Sequence, residues 1–236
     1  MKIGFFGDSY VDLIVHRWSE TPDPQFKPWS FRLLEHYQSP IVNSGLGGSN
    51  QYHAINEWNK FLQSGQEIDY AFFTFTWPDR LFSNKPNVQE LLSLLHERRN
   101  SSHLSYDEKK TIEAIDTYIT YIYDKYETAF NYELQVRWIL ELPKRYPEIK
   151  FVFLPNTEHA REMALKYFQG GILLDFAFAN ISALEGEIVG QYPFAEGKIG
   201  HLFEQNHVKF KNKMIDIIDK KLYNTIIDID YKEFEL

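Results

Sequence analysis

Residues able to do chemistry fall in four short segments of the chain. The first is Gly7-Asp8-Ser9-Tyr10, directly after the apolar run Ile3–Gly7. In an open parallel sheet, functional groups collect outside the carboxyl ends of the strands. A serine there can face a cleft, and with a base beside it can act as a nucleophile. Gly7 lets the backbone turn sharply. The same serine could instead cap a following helix. The second segment is Asn43-Ser44-Gly45-Leu46-Gly47-Gly48-Ser49-Asn50. Its glycines free backbone N–H groups, and the helix expected at Gln51–Phe61 adds positive potential, so the loop suits an anion or an oxyanion. It can equally be a plain glycine-rich turn. It is neither a P-loop, since no Lys-Ser/Thr follows, nor a dinucleotide fingerprint, since its spacing differs and it follows the second strand. The third segment, Thr74-Phe75-Thr76-Trp77-Pro78-Asp79-Arg80, brings a hydroxyl donor in Thr76, a planar cation in Arg80, and Trp77 as a loop plug or substrate platform. The fourth, Gly200-His201-Leu202-Phe203-Glu204-Gln205-Asn206-His207, sets two histidines six residues apart at a helix entrance. One can serve as a base and the other as a structural residue.

Composition narrows the field. The chain has 236 residues, a formal net charge of −8 and no cysteine. An acidic chain repels phosphate backbones, so no nucleic-acid partner is expected. Lys209, Lys211, Lys213, Lys220 and Lys221 alternate with apolar residues and read as the wet face of a helix. Without cysteine there is no disulfide, thiolate catalysis or Cys-ligated metal. No metal and no cofactor are expected. No stretch resembles a signal-peptide core or a membrane span, so the sequence reads as cytoplasmic, with no membrane partner. Aromatic residues make up 17% of the chain, enough to build a large core.

The elements that must hold these segments follow from the apolar pattern. Ile3–Gly7, Ile41–Ser44, Tyr70–Thr76 and Lys150–Leu154 read as short buried strands. Helical patterns between them imply an α/β fold with a mainly parallel central sheet flanked by helices. Ser105-Tyr-Asp-Glu108 is a capping box. After it, Ile112, Ile115, Ile119, Ile122, Tyr126 and Phe130 recur at helical spacing, to about Leu142, with a break expected near Asn131. This marks a helical insertion at about 85–146 within a single domain, 1–236. Val208, Phe210, Met214, Ile215, Ile218 and Leu222 form a last amphipathic helix, starting at about Asn206. The tail, about 223–236, reads as an edge strand, an arm onto a partner subunit that would allow an oligomer, or a frayed end.

In order and spacing, the four segments resemble the SGNH/GDSL hydrolases, from residue 7 to about residue 222. The likeness is closest to divergent phage and bacterial members. It implies a flavodoxin-like fold of the SGNH hydrolase type. It also implies a serine hydrolase that acts on an ester, such as an O-acylated carbohydrate or another small molecule. Gly7-Asp8-Ser9 matches the nucleophile block, which makes Ser9 the nucleophile. Asn43, Gly45 and Gly48 match the second block, which makes Gly48 an oxyanion donor. Thr76 stands where the family has its oxyanion Asn. His201 matches the base, but Lys198 stands where the family has its acid, so Glu196 is the expected orienting acid. Asp8 and Arg80 are expected to touch substrate. The two departures leave an alternative: an SGNH scaffold that has lost hydrolysis and binds a carbohydrate or another small ligand.

Overall fold

The computed structural model describes residues 1–13, 27–47, 49–76, 105–121, 123–184, 202 and 204–234. Five parallel strands form one sheet in the order β1 (Ile3–Phe6), β2 (Tyr70–Phe75), β3 (Lys150–Pro155), β4 (Ile172–Asp175) and β5 (Thr225–Asp228). Every adjacent pair is parallel. Ile41 makes one parallel bridge to Ile3, on the side of β1 away from β2. The chain therefore leaves β1 toward one flank and returns to β2 on the other. That reversal is the switch point of a flavodoxin-like sheet, and the crevice it opens lies at the carboxyl end of β1.

The strands are apolar on both faces because helices cover both faces. Successive side chains alternate between the layers. Phe5, Phe72, Val152, Leu154, Ile172 and Leu174 face one core, with Trp29 and Leu33 of α1 (Trp29–Tyr37) and Phe210 and Met214 of the last helix. Phe6, Phe73, Phe75, Phe151, Phe153 and Leu173 face the other. There they meet Trp58 of α2 (Gln51–Ser64) and Val136 and Ile139 from the insertion. The described part of that insertion is helical: α3 (Tyr106–Tyr121), α4 (Lys125–Leu140) and the single turn α5 (Leu142–Arg145). Then follow α6 (Glu158–Tyr167), α7 (Phe178–Leu184) and α8 (Glu204–Asp219). Among the described residues, no helix is long and apolar enough to cross a membrane.

Three expectations change. The segment Ile41–Ser44 is not a strand beyond its bridge at Ile41. Its following backbone leaves the ladder to bond with the loop after β1: Gly45 N donates to Val11 O and Leu46 N to Gly7 O. The helix break comes between Tyr121 and Lys125, not near Asn131. Asp124 supplies the reason, since its carboxylate accepts from Tyr126 N and Glu127 N and starts α4 afresh. The sheet also gains two strands not read from the pattern, β4 and β5. Of the readings open for the tail, it takes the edge strand. Asn224 Oδ1 accepts from Gly171 N where β4 and β5 begin. Beyond β5, Ile229 and Phe234 return to the core, and Lys213 of α8 pairs with Glu233.

Candidate functional site

Ser9 opens a single 3₁₀ turn, Ser9–Val11, immediately past β1. Asp8 holds that turn. Its carboxylate is fully buried. Oδ1 accepts from Tyr10 N at 3.2 Å and from the Thr74 hydroxyl at 3.2 Å, and Oδ2 accepts from Asn156 Nδ2 at 2.5 Å. Asp8 N in turn donates to Thr74 Oγ1. Thr74 lies near the end of β2 and Asn156 directly after β3. One aspartate thus ties the carboxyl ends of three neighbouring strands beneath Ser9. A buried carboxylate is tolerated only when paired and hydrogen-bonded, which these donors supply. Gly7 makes the approach possible. A Cβ there would lie 1.8 Å from Thr74 Oγ1, at a φ of +154° that side chains rarely adopt.

The glycine-rich segment folds onto the same turn. Leu46 N and Ser49 Oγ both donate to Gly7 O, at 2.9 and 3.1 Å. Gly45 packs so closely that a Cβ would meet Asp8 O at 2.5 Å. Asn50 then caps α2 through His53 N. The His53 imidazole is pushed down from its usual range, chiefly by burial. Thr76, just past β2, is 2% exposed and engaged on every polar group. Its N donates to Gln51 Oε1 at 3.2 Å, its hydroxyl to Ser49 O at 3.4 Å, and its carbonyl accepts from Tyr132 Oη at 2.7 Å.

Against this web Ser9 stands out. Its Oγ is buried and has no hydrogen-bond partner among the described residues. Asn43 Nδ2, Gln51 Nε2 and Asn156 Oδ1, all on segments bonded into the same edge, share that condition. Buried polar groups are normally paired, so unpaired ones call for an explanation. A serine hydroxyl not committed to a cap or a carbonyl is what a nucleophile requires.

The structure brings Ser9, Asp8, the loop around Gly45–Ser49 and Thr76 to one edge of the sheet. The Asp8 carboxylate is enclosed by these donors and holds the turn. Gly48, Arg80, Glu196 and His201, with Trp77 and Lys198, lie outside the described residues. His207 sits in the first turn of α8, 1% exposed. Its Nδ1 accepts from Trp29 N at 3.1 Å. Trp29 begins α1 behind Pro28, which offers no capping side chain, so His207 does that work from a distant helix. Thr74 opened the third segment without a role of its own, and Asn156 was not singled out in the sequence. Their only signal there is position at a strand's carboxyl end. Among the described residues, no group of His, Asp or Glu is arranged to hold a metal ion. No protein-family model matches the chain, and no curated protein matches it.

Proposed function

We propose that the protein is a serine hydrolase acting on an ester, with Ser9 as nucleophile and His201 as base. The observation that carries the reading is the uncommitted Ser9 Oγ at the switch point of the sheet, on a turn that Asp8 fixes. In this reading His201 takes the Ser9 proton as Oγ attacks the ester carbonyl. The oxyanion is met by the N–H groups of Ser9 and Gly48, and the Thr76 hydroxyl turns from Ser49 O to join them. The tetrahedral adduct collapses to an acyl-serine, and the imidazolium returns its proton to the leaving alcohol. Water, activated by the same imidazole, then releases the acid. Glu196 orients the imidazole and stabilises its cation. Arg80 binds substrate, which is a small ester such as an O-acylated carbohydrate. The protein works in the cytoplasm without nucleic acid.

A second reading has an observation of its own. Thr76, at the place of the expected oxyanion Asn, has its hydroxyl and its N–H turned to Ser49 O and Gln51. That favours a binding module which keeps the fold without the chemistry, its ligand a carbohydrate or another small molecule. Hydrolysis of p-nitrophenyl acetate by the wild type and by Ser9→Ala, His201→Ala and His207→Ala decides between them. The hydrolase reading expects loss in the first two variants and measurable turnover in the third. Wild-type turnover no greater than that of Ser9→Ala establishes the binding module. Loss in His207→Ala alone overturns the choice of base.

A further inference from the structure

The turn that begins at Ser9 ends on Asp12, whose N donates back to Ser9 O at 3.4 Å. Asp12 is 2% exposed. Its carboxylate reaches across to the glycine-rich loop: Oδ2 accepts from Gly47 N at 3.0 Å, and Oδ1 stands 3.5 Å from Ser44 Oγ. Ser44 Oγ is itself held, accepting from Leu13 N at 3.0 Å. Asp12, which ends the nucleophile turn, and Leu13, which follows it, therefore grip two points of the loop, Ser44 and Gly47. A bond from a neutral N–H to a carboxylate is shorter and stronger than one to a neutral acceptor. Burial of the charge makes the contact costly to lose.

The placement matters because Gly47 immediately precedes Gly48. Holding the Gly47 N–H anchors the chain one residue before Gly48. Asp8 performs the matching task for Ser9, so the serine turn and the glycine loop each have a buried aspartate, four residues apart at the two ends of one turn. We infer that Asp12 is a positioning residue that holds the glycine loop at Gly47, one residue before the proposed oxyanion donor, relative to Ser9. The inference rests on the hydrolase reading for its catalytic consequence and on the Asp12–Gly47 contact for its structural one.

The test uses Asp12→Leu, which removes the acceptor and keeps the branching at Cγ, and Asp12→Asn, whose Oδ1 can still accept from Gly47 N. Losing one oxyanion donor typically costs about 10²–10³ in kcat. Asp12→Leu is expected to lower kcat on p-nitrophenyl acetate by about 100-fold, with KM changed by less than about threefold. It should weaken phenylboronic acid, which forms a tetrahedral adduct on serine, by a similar factor. Asp12→Asn should recover most of both. A merely structural aspartate would give wild-type kcat in the Leu variant, or equal loss in Leu and Asn, and either result overturns the inference. Amide hydrogen exchange at Gly45 and Gly47 is read in the same proteins. It should speed up in Asp12→Leu and stay near wild type in Asp12→Asn. If the wild type shows no Ser9-dependent hydrolysis, the hydrolase reading falls by itself. Exchange then decides the clamp alone, and unchanged exchange in Asp12→Leu overturns it. Should the Leu variant fail to fold, Asp12→Ser, too short to reach Gly47, takes its place with the same expectations.

Discussion

At Gly7 a single hydrogen in place of a side chain admits the Thr74 hydroxyl to the base of the Ser9 turn. A methyl group there would stand 1.8 Å from Thr74 Oγ1. Gly7→Ala should destabilise the protein by about 3 kcal/mol or more, as overpacking at a rigid site does. Thr74→Ala removes the clashing oxygen but also a donor to Asp8. The double variant should therefore cost less than the sum of the two singles, a coupling that urea unfolding of all four proteins would expose. The histidines divide in a comparable way. His207→Ala leaves the buried Trp29 N–H without its acceptor. We expect a loss of about 1–3 kcal/mol of stability with turnover retained, measured by urea titration beside an ester assay. The histidine role was legible from position alone, because a residue inside the first turn of α8 points back along the helix axis. Asn156 was not legible in the same way. Its partner Asp8 is 148 residues away, and only the pairing of β1, β2 and β3 brings them together.

Among the elements, the helical insertion shows how a cap overrides periodicity. The apolar spacing runs from Ile112 to Phe130, yet α3 ends at Tyr121. Asp124 offers its carboxylate to two N–H groups that a continuous helix would have bonded internally, and α4 begins at Lys125. Asp124→Ala should cost about 1 kcal/mol, and Asp124→Ser should restore most of it, with the thermal unfolding midpoint as the measure. The opposite case is α1. Pro28 gives no side-chain cap, and the helix depends on His207 for an acceptor. Strand β4 (Ile172–Asp175) is short, and pairs with β5 at every one of its four positions. It was not read from the sequence, and parallel ladders with both β3 and β5 make it a strand.

For the molecule as a whole, the tail closes the sheet. Phe234 is 1% exposed and its ring lies 6.3 Å from that of Phe210, between centroids. Phe234→Ala should cost about 3–5 kcal/mol, readable as a shift in the urea midpoint without a change in slope. At the amino end of the sheet, Tyr37, Tyr70 and Tyr223 border a cavity of about 600 Å³ together with Asp219 and Lys150. Burial, then the neighbouring Tyr223, pushes the Tyr70 phenol up to about 12. An unfolded tyrosine ionises near pH 10. Between roughly pH 10 and 12 the unfolded chain therefore releases a proton that the fold retains, and stability falls across that window. Below it the contribution is fully present. Guanidinium midpoints at pH 9 and 11 should differ more in the wild type than in Tyr70→Phe, which has no phenol to ionise. Equal differences would show that Tyr70 does not set the alkaline limit.

Local order along the chain marked the runs Ile3–Gly7, Tyr70–Thr76 and Lys150–Leu154 as buried parallel strands, because continuous apolar runs can be satisfied only by cover on both faces. It determined equally that Ser9 follows the first of them and that a glycine-rich loop precedes α2. These are short-range matters, settled by a few neighbouring residue types. Tertiary structure decided what those residues bond to. Asp8 read as a group turned toward a ligand, but three donors from β2, β3 and its own turn enclose it. Asp12 carried no signal until the glycine loop came to rest upon it. Ile41–Ser44 read as a strand, but it bridges only at Ile41, and the Gly45 and Leu46 N–H groups that follow it bond to the chain around Ser9. A hydrogen-bonding group can name its own needs in sequence. Which of many distant partners meets them is fixed only when the strands assemble.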